Sequence, residues 1–274
     1  MTHRCLRLAV IIAIIFMMCS PGHAQIENER DIIKNPVFYG KMNVRDFFHD
    51  SSDFAWEVDL VYRRQKNFDG STIFSDPLRL SIRPWLSYNV TNLTRVSLSP
   101  LGIFHTAPRV PRGEDVRPGF EGYQREVRTT LQINKHAYFK RFNFTHRMRF
   151  ESRWRDIDNP ENRTQNFRFR YRIRLRTPLN TDYFYKNNTL YLSNYHEVHI
   201  QFGSDYGFNY FSQSRNYIGM GFRFWDWTRV ELGYLHQYQV RGNVYEIDLL
   251  QGPMMYLYFD IVSKNKKNYN FLSF

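Results

Sequence analysis

Cysteine is nearly missing from this chain of 274 residues: there are two, Cys5 and Cys19, both within the first 24 positions. Beyond that segment no disulfide framework, Cys-based metal cluster or thiol nucleophile is available. Acidic residues are also short, 26 Asp and Glu against 38 Lys and Arg, for a formal charge of +12. After the N-terminus there is no long apolar run, which excludes a helical membrane span of about 20 apolar residues. No HExxH, P-loop or GxGxxG in a strand–helix context occurs, so the common metalloprotease, nucleotide and dinucleotide chemistries have no sequence support.

The one apolar run, Leu8 to Met18, follows Arg4 and Arg7 and precedes Gly22-His23-Ala24. A basic start, a short apolar stretch and small-x-small residues make residues 1–24 a secretory signal peptide, cleaved after Ala24. An exported chain without cysteine holds its fold by other means. The basic charge with interleaved aromatics would suit nucleic acid, but the export signal argues against that partner.

What is present is alternation. In Asn166 to Leu179, NFRFRYRIRLRTPL, Phe167, Phe169, Tyr171, Ile173 and Leu175 share one parity. Arg168, Arg170, Arg172, Arg174 and Arg176 share the other. A period of two places these sets on opposite faces of one strand. Similar segments occupy 54–63, 78–90, 94–105, 122–133, 142–155, 190–202, 216–225, 228–240 and 245–261. Residues 25–53 show no clear period and read as a periplasmic lead-in, 54–262 as the barrel, and 263–274 as a polar tail. Pro84, mid-strand, predicts a bulge. Gly219, Gly221 and Gly233 fall on polar faces, where strands can crowd.

These segments run well past the five or six residues usual in globular strands and match the nine to eleven or so that cross a bilayer when tilted. Long links tend to alternate with short ones, although 179–189 is long where a short turn is expected. Aromatics make up 18% of the chain while mean hydropathy is −0.56. Alternate residues meeting lipid would produce both values. The expected fold is therefore all-β, an antiparallel transmembrane β-barrel of about ten strands (8–12), in the cell outer membrane, with both termini in the periplasm. Its partners would be outer-membrane lipid and lipopolysaccharide, with the barrel-assembly machinery acting during biogenesis. Trp56, Trp85, Trp154, Trp225 and Trp227 lie near strand ends or in a turn and read as interfacial girdles.

With the apolar parity toward lipid, the other parity lines a lumen. That places Arg147, Arg149, Arg153, Arg168, Arg170, Arg172, Arg174 and Arg176 inside, with Glu57, Asp59, Glu126, Glu151 and Glu231 as carboxylates. Buried charge must be paired or hydrated, and the guanidinium fork suits carboxylates. Two readings follow: a structural charge lattice filling a narrow barrel, or a positive wall of a narrow pore favouring anions. Ten strands sit near the size that side chains can fill.

A lipid-modifying barrel enzyme would need a Ser–His pair in hydrogen-bond reach. His146 and Ser152 share a face but lie about 20 Å apart at roughly 3.3 Å per residue. His49-Asp50-Ser51 precedes the first expected strand, and His196 and His236 occupy mostly apolar faces. No catalytic residue, metal ligand or cofactor is expected. The alternatives left open are that lipid-modifying enzyme and a secreted soluble β-sandwich binding protein.

The stretches Ser193-Asn194-Tyr195-His196-Glu197-Val198, Ser214 to Gly221 (SRNYIGMG) and Glu231 to Gln237 (ELGYLHQ) resemble the bacterial family called domain of unknown function 2490. The Arg-rich segments 149–155 and 168–178 are similar too, and the likeness covers most of 54–261. The resemblance implies an outer-membrane β-barrel without an established activity, and supplies no catalytic residues. Phe274 supplies the terminal aromatic expected of barrels, though 264–268 alternate poorly.

Overall fold

The computed structural model describes residues 31–48, 53–66, 72–107, 124–155, 163–203, 210–240 and 246–261. It consists of eleven strands: β1 (Asp31–Phe47), β2 (Phe54–Gln65), β3 (Asp76–Thr91), β4 (Thr94–Thr106), β5 (Gln124–Phe139), β6 (Phe142–Arg155), β7 (Thr164–Pro178), β8 (Thr189–Phe202), β9 (Phe211–Trp225), β10 (Thr228–Val240) and β11 (Glu246–Ile261). Each pairs with its sequence neighbours, and β1 pairs with β11, so the sheet is a closed barrel. Closure leaves no exposed sheet edge. It also overturns the β-sandwich alternative.

Ten of the expected strands are present, with boundaries shifted by a few residues. The eleventh corrects the reading of 25–53 as a lead-in, because Asp31–Phe47 is a full barrel strand. Its inner face carries Val37 and Tyr39 as well as Arg45, all buried, and its outer face carries Ile32 and Phe38. Apolar residues on both faces erase the alternation that marks the other strands.

An odd count forces one parallel pair. β1 runs parallel to β11, in register from Asp31↔Glu246 to Asp46↔Ile261, so the barrel is mixed rather than purely antiparallel. Asp31 and Ile261 therefore lie at opposite ends, which corrects the expectation that both ends of the fold share one side. The links 66–75, 107–123, 156–163, 203–210 and 241–245 share one end. The links 48–53, 92–93, 140–141, 179–188 and 226–227 share the other. These are called below the long-link and short-link ends. The parallel ladder is interrupted where Pro36 and Pro253, which lack a backbone N–H, flank Gly252. A Cβ at Gly252 would collide with the Val37 carbonyl oxygen, so only glycine fits there.

Alternation holds strand by strand. Along β7 the arginines are buried while Phe167 and Tyr171 are exposed. The outer face shows Leu80, Ile82, Leu86, Leu98, Leu131, Phe150, Ile218, Met220 and Leu232, each 43% exposed or more. Pro84 and Pro100 also point outward. The β2 pairing continues through Val58↔Pro84, whereas the β3–β4 register shifts between Ile82 and Leu86. The irregularity predicted at Pro84 is thus on its β4 side.

The interior has two halves. Tyr39, Tyr195, Tyr217, Leu235, Met254, Tyr256 and Tyr258 form a buried cluster on β1 and β8–β11. The arginines of β6 and β7 face it. Gly221 stands opposite Tyr191 on β8, and a Cβ there would run into the Tyr191 ring. The crowding at these glycines is therefore a tyrosine laid flat against the wall. Link 179–188 also turns into the barrel end: Phe184 is buried, packs edge-on against Tyr191 at 4.7 Å and lies under the Arg176 guanidinium at 5.2 Å.

Candidate functional site

Five carboxylates of the interior, Glu126, Glu151, Glu197, Glu231 and Asp59, are hubs. Glu197 on β8 is fully buried. It meets Arg147 at 2.8 Å, Arg170 at 3.0 Å, Arg172 at 2.9 Å and Arg215 at 3.8 Å. Glu151 on β6 accepts from Arg170 at 2.9 Å and Arg168 at 2.8 Å, with Arg83 at 3.5 Å and Arg128 at 3.7 Å. Glu126 on β5 takes both arms of Arg128 at 2.7 Å and pairs with Arg153. Glu231 on β10 meets Arg174 at 3.2 Å and Arg176 at 3.4 Å and accepts the Tyr191 hydroxyl at 3.0 Å. Asp59 on β2 pairs with Lys41 at 2.7 Å and accepts from Asn43 and Trp85, with Arg149 at 3.9 Å. Glu57 pairs with Arg95 at 3.4 Å, and Asp260 with Arg45 at 2.8 Å.

Strand register explains these hubs. Arg147↔Arg172 and Arg149↔Arg170 stand directly opposite one another on β6 and β7, where like charges repel. Glu197 on β8 opposes Arg172, and Glu151 on β6 opposes Arg168. One acid therefore serves several guanidiniums, whose planar forks allow multidentate sharing. All thirteen residues singled out in the sequence are on the inward-facing parity, eleven of them buried; Glu57 and Arg147 are partly exposed within the barrel.

Sequence reasoning missed several members, Lys41, Arg45, Arg95 and Asp260 among them. Glu197, Arg83, Arg128 and Arg215 are others: they have the same inward parity, and each joins the lattice. Glu197 was legible as a polar-face residue, but its strand carries little other charge. Its rank as a hub depends on Arg147, fifty positions away. The tyrosines were missed because aromatic residues were assigned to the outer surface. Trp85 is the clearest correction. It is buried inside the barrel and donates to Asp59 at 3.2 Å, so it belongs to no surface girdle. Trp225 and Trp227 do lie outside, exposed at the β9–β10 turn and stacked at 5.1 Å.

A central cavity of about 190 Å³ remains. Fifteen arginines and Lys41 reach its wall, against two carboxylates, Glu57 and Asp59. Glu126, Glu151, Glu197 and Glu231 are absent from that wall, while the longer guanidinium stems extend inward. Aromatic faces offset part of the excess. Arg172 sits 3.8 Å over Tyr195, Arg128 3.7 Å over Phe104 and Arg149 4.9 Å over Trp85. Such contacts contribute on the order of 1–2 kcal/mol when desolvated. The arrangement offers positive charge and hydrogen-bond donors, which suit an anion.

The candidate bases have other partners. His146 bonds the Tyr171 hydroxyl at 2.8 Å, His196 the Asn216 side chain at 2.7 Å, and His199 contacts Glu197 at 3.3 Å. None of the three has a serine partner. His49, Asp50 and Ser51 lie outside the described residues, as do residues 1–30 and 263–274.

Fold and interior together define a class: a closed all-β barrel, outwardly apolar, filled from within by an arginine–carboxylate lattice and a tyrosine cluster. The chain belongs to the family described as protein of unknown function (DUF2490), whose model matches residues 38–246. No curated protein and no solved structure matches the chain.

Proposed function

We propose that this protein is an outer-membrane β-barrel of a Gram-negative bacterium, exported through residues 1–24, with a filled and non-enzymatic interior. The carrying observation is inversion. Large apolar side chains face outward in a closed band, and ionised groups face inward. A water-soluble domain keeps charge outside, and contiguous exposed apolar surface marks a membrane or partner. Outer-membrane lipid and lipopolysaccharide then contact the apolar band, and the assembly machinery inserts it. The short-link end would face the periplasm, where such barrels carry their shorter turns.

The lattice supports a structural role with, at most, a narrow path favouring anions. Eleven strands lie well below the sixteen or so that leave an open aqueous channel, and Phe184 covers part of the short-link end. Two measurements test this. Unboiled protein from the outer-membrane fraction should migrate faster on gels than boiled protein; a soluble protein with no heat-dependent shift would refute the membrane reading. Single-channel recording under a salt gradient should show either silence or small anion-selective steps. Large, unselective steps would refute the filled lumen.

A further inference from the structure

Most opposed arginines in this barrel share, or each hold, a carboxylate. Arg147 and Arg172 face one another across β6 and β7 and both bond Glu197. Arg63 and Arg79 hold none among the described residues, and the same is true of Arg223 and Arg229 across β9 and β10. Arg63 and Arg79 are register partners on β2 and β3, both lining the cavity, and so have Cβ atoms about 5 Å apart. Arg63 lies 4.2 Å over the Tyr39 ring, and its Nε has no hydrogen-bond partner. Arg79 donates its Nε to the Thr106 hydroxyl at 2.9 Å. No described carboxylate forms an ion pair with either.

A third cation lines the same cavity wall. Arg215, on β9, reaches Glu197 only at 3.8 Å and leaves its own Nε without a partner. Arg128 stands on that wall too. Arg128 is already held at both arms by Glu126. At the long-link end, Arg63 and Arg79 thus line the cavity without an ion-pairing carboxylate among the described residues, and Arg215 has only its 3.8 Å contact with Glu197. Incompletely compensated charge in a low-dielectric interior is strongly unfavourable, and these three side chains offer the cavity only donors.

We propose that Arg63, Arg79 and Arg215 bind a small free oxyanion of the phosphate or sulfate class inside the barrel. A tetrahedral dianion presents several oxygens at once, which guanidinium forks grip bidentately. Chloride offers one monovalent sphere and would neutralise the cluster less well. The site needs only the closed barrel, so it stands apart from the membrane and pore readings.

The test uses full-length mature protein refolded in detergent, with its folded state confirmed by gel mobility. Thermal unfolding is followed while inorganic phosphate or sulfate replaces chloride at constant ionic strength, and phosphate binding is measured directly by calorimetry. We expect saturable stabilisation of the wild type. In Arg63→Gln and Arg79→Gln the apparent affinity should fall about tenfold or more, as loss of a charge-assisted bidentate contact implies. In phosphate-free buffer those variants should be no less stable than the wild type. Wild-type protein showing no saturable effect beyond chloride would overturn the proposal, whether or not the variants fold. Equal phosphate stabilisation in wild type and variants would also overturn it, because the effect would then be one of general ionic strength. Arg215→Gln provides a third, independent position for the same comparison.

Discussion

Replacing Glu197 by Gln tests whether the lattice holds the barrel together. The substitution keeps the shape and one acceptor oxygen but removes the charge. Glu197 is completely buried and is met by Arg147, Arg170 and Arg172 at 2.8–3.0 Å, with Arg215 behind them. Removing one partner of a buried ion pair costs about 3–5 kcal/mol, mostly through the charge left uncompensated. Here several cations lose their shared counterion, so the upper part of that range applies. For a domain of this size, roughly 2–4 °C of melting temperature accompanies each kcal/mol, so a cost of about 4–5 kcal/mol gives a fall of roughly 8–20 °C. The assay is the temperature at which the fast-migrating folded band converts to the slow one. Glu57→Gln is the matched control. Glu57 is 14% exposed and meets a single cation, Arg95, at 3.4 Å, so its loss should lower the melting temperature less than that of Glu197. Equal melting of Glu197→Gln and wild type would refute the reasoning, since it would mean that water, not Glu197, solvates those guanidiniums.

The other predictions probe separate parts of the molecule. Leu232→Arg places a cation on the outer face where Leu232 is 59% exposed. It should cost about 2–4 kcal/mol in a bilayer and almost nothing for a barrel in water, as judged by denaturant titration from vesicles. Gly221→Ala should displace Tyr191 and destabilise by about 1–3 kcal/mol of overpacking, visible in the same gel assay. Phe184→Ala removes the ring that packs on Tyr191 and should cost about 3 kcal/mol while raising any conductance; an unchanged current would show that Phe184 does not limit the path. The Tyr185 phenol, in the 179–188 link, is pushed well above its ordinary value by burial and by its hydrogen bond with Tyr138. A raised folded-state value means that its contribution is fully present below about pH 10 and is lost as pH climbs further. Tyr185→Phe should therefore flatten the alkaline limb of a stability profile.

Strand positions were legible where the two faces differ in chemistry. β6 and β10 run over the residues that their alternation marks, Phe142–Arg155 and Thr228–Val240. β7, with five arginines against five apolar residues, is nearly as well bounded. β1 was not legible, because Val37 and Tyr39 point into an interior that is itself aromatic at that place. The same local reversal explains Trp85. Its parity matched Arg83 and Ser87, yet residue type suggested the surface, and parity was the better guide. Parity also separated inward from outward charge, because a two-residue repeat survives any amount of twist. Which acid serves which arginine was not legible. Glu197 and Arg147 meet across β7, and that contact is set by the register of two successive strand pairs, Arg147↔Arg172 and Arg172↔Glu197, and by the reach of a guanidinium stem.

The parallel seam has a consequence for how the chain assembles. Ten of the eleven strand pairs can zip from a local link, some as short as the two residues 92–93, 140–141 and 226–227. The pair β1–β11 joins Asp31 to Glu246 across nearly the whole chain. Loop-closure entropy grows as the logarithm of length, so this pairing costs about 4 kcal/mol more than a two-residue hairpin. Such non-local contacts form late. β1 must therefore wait, with β2 on one flank and its other edge open, until β11 has been made and brought round beside it. Until then an apolar strand with a free edge can pair with another chain. A chaperone or insertion factor that shields one segment of this protein would protect most by holding residues 31–47.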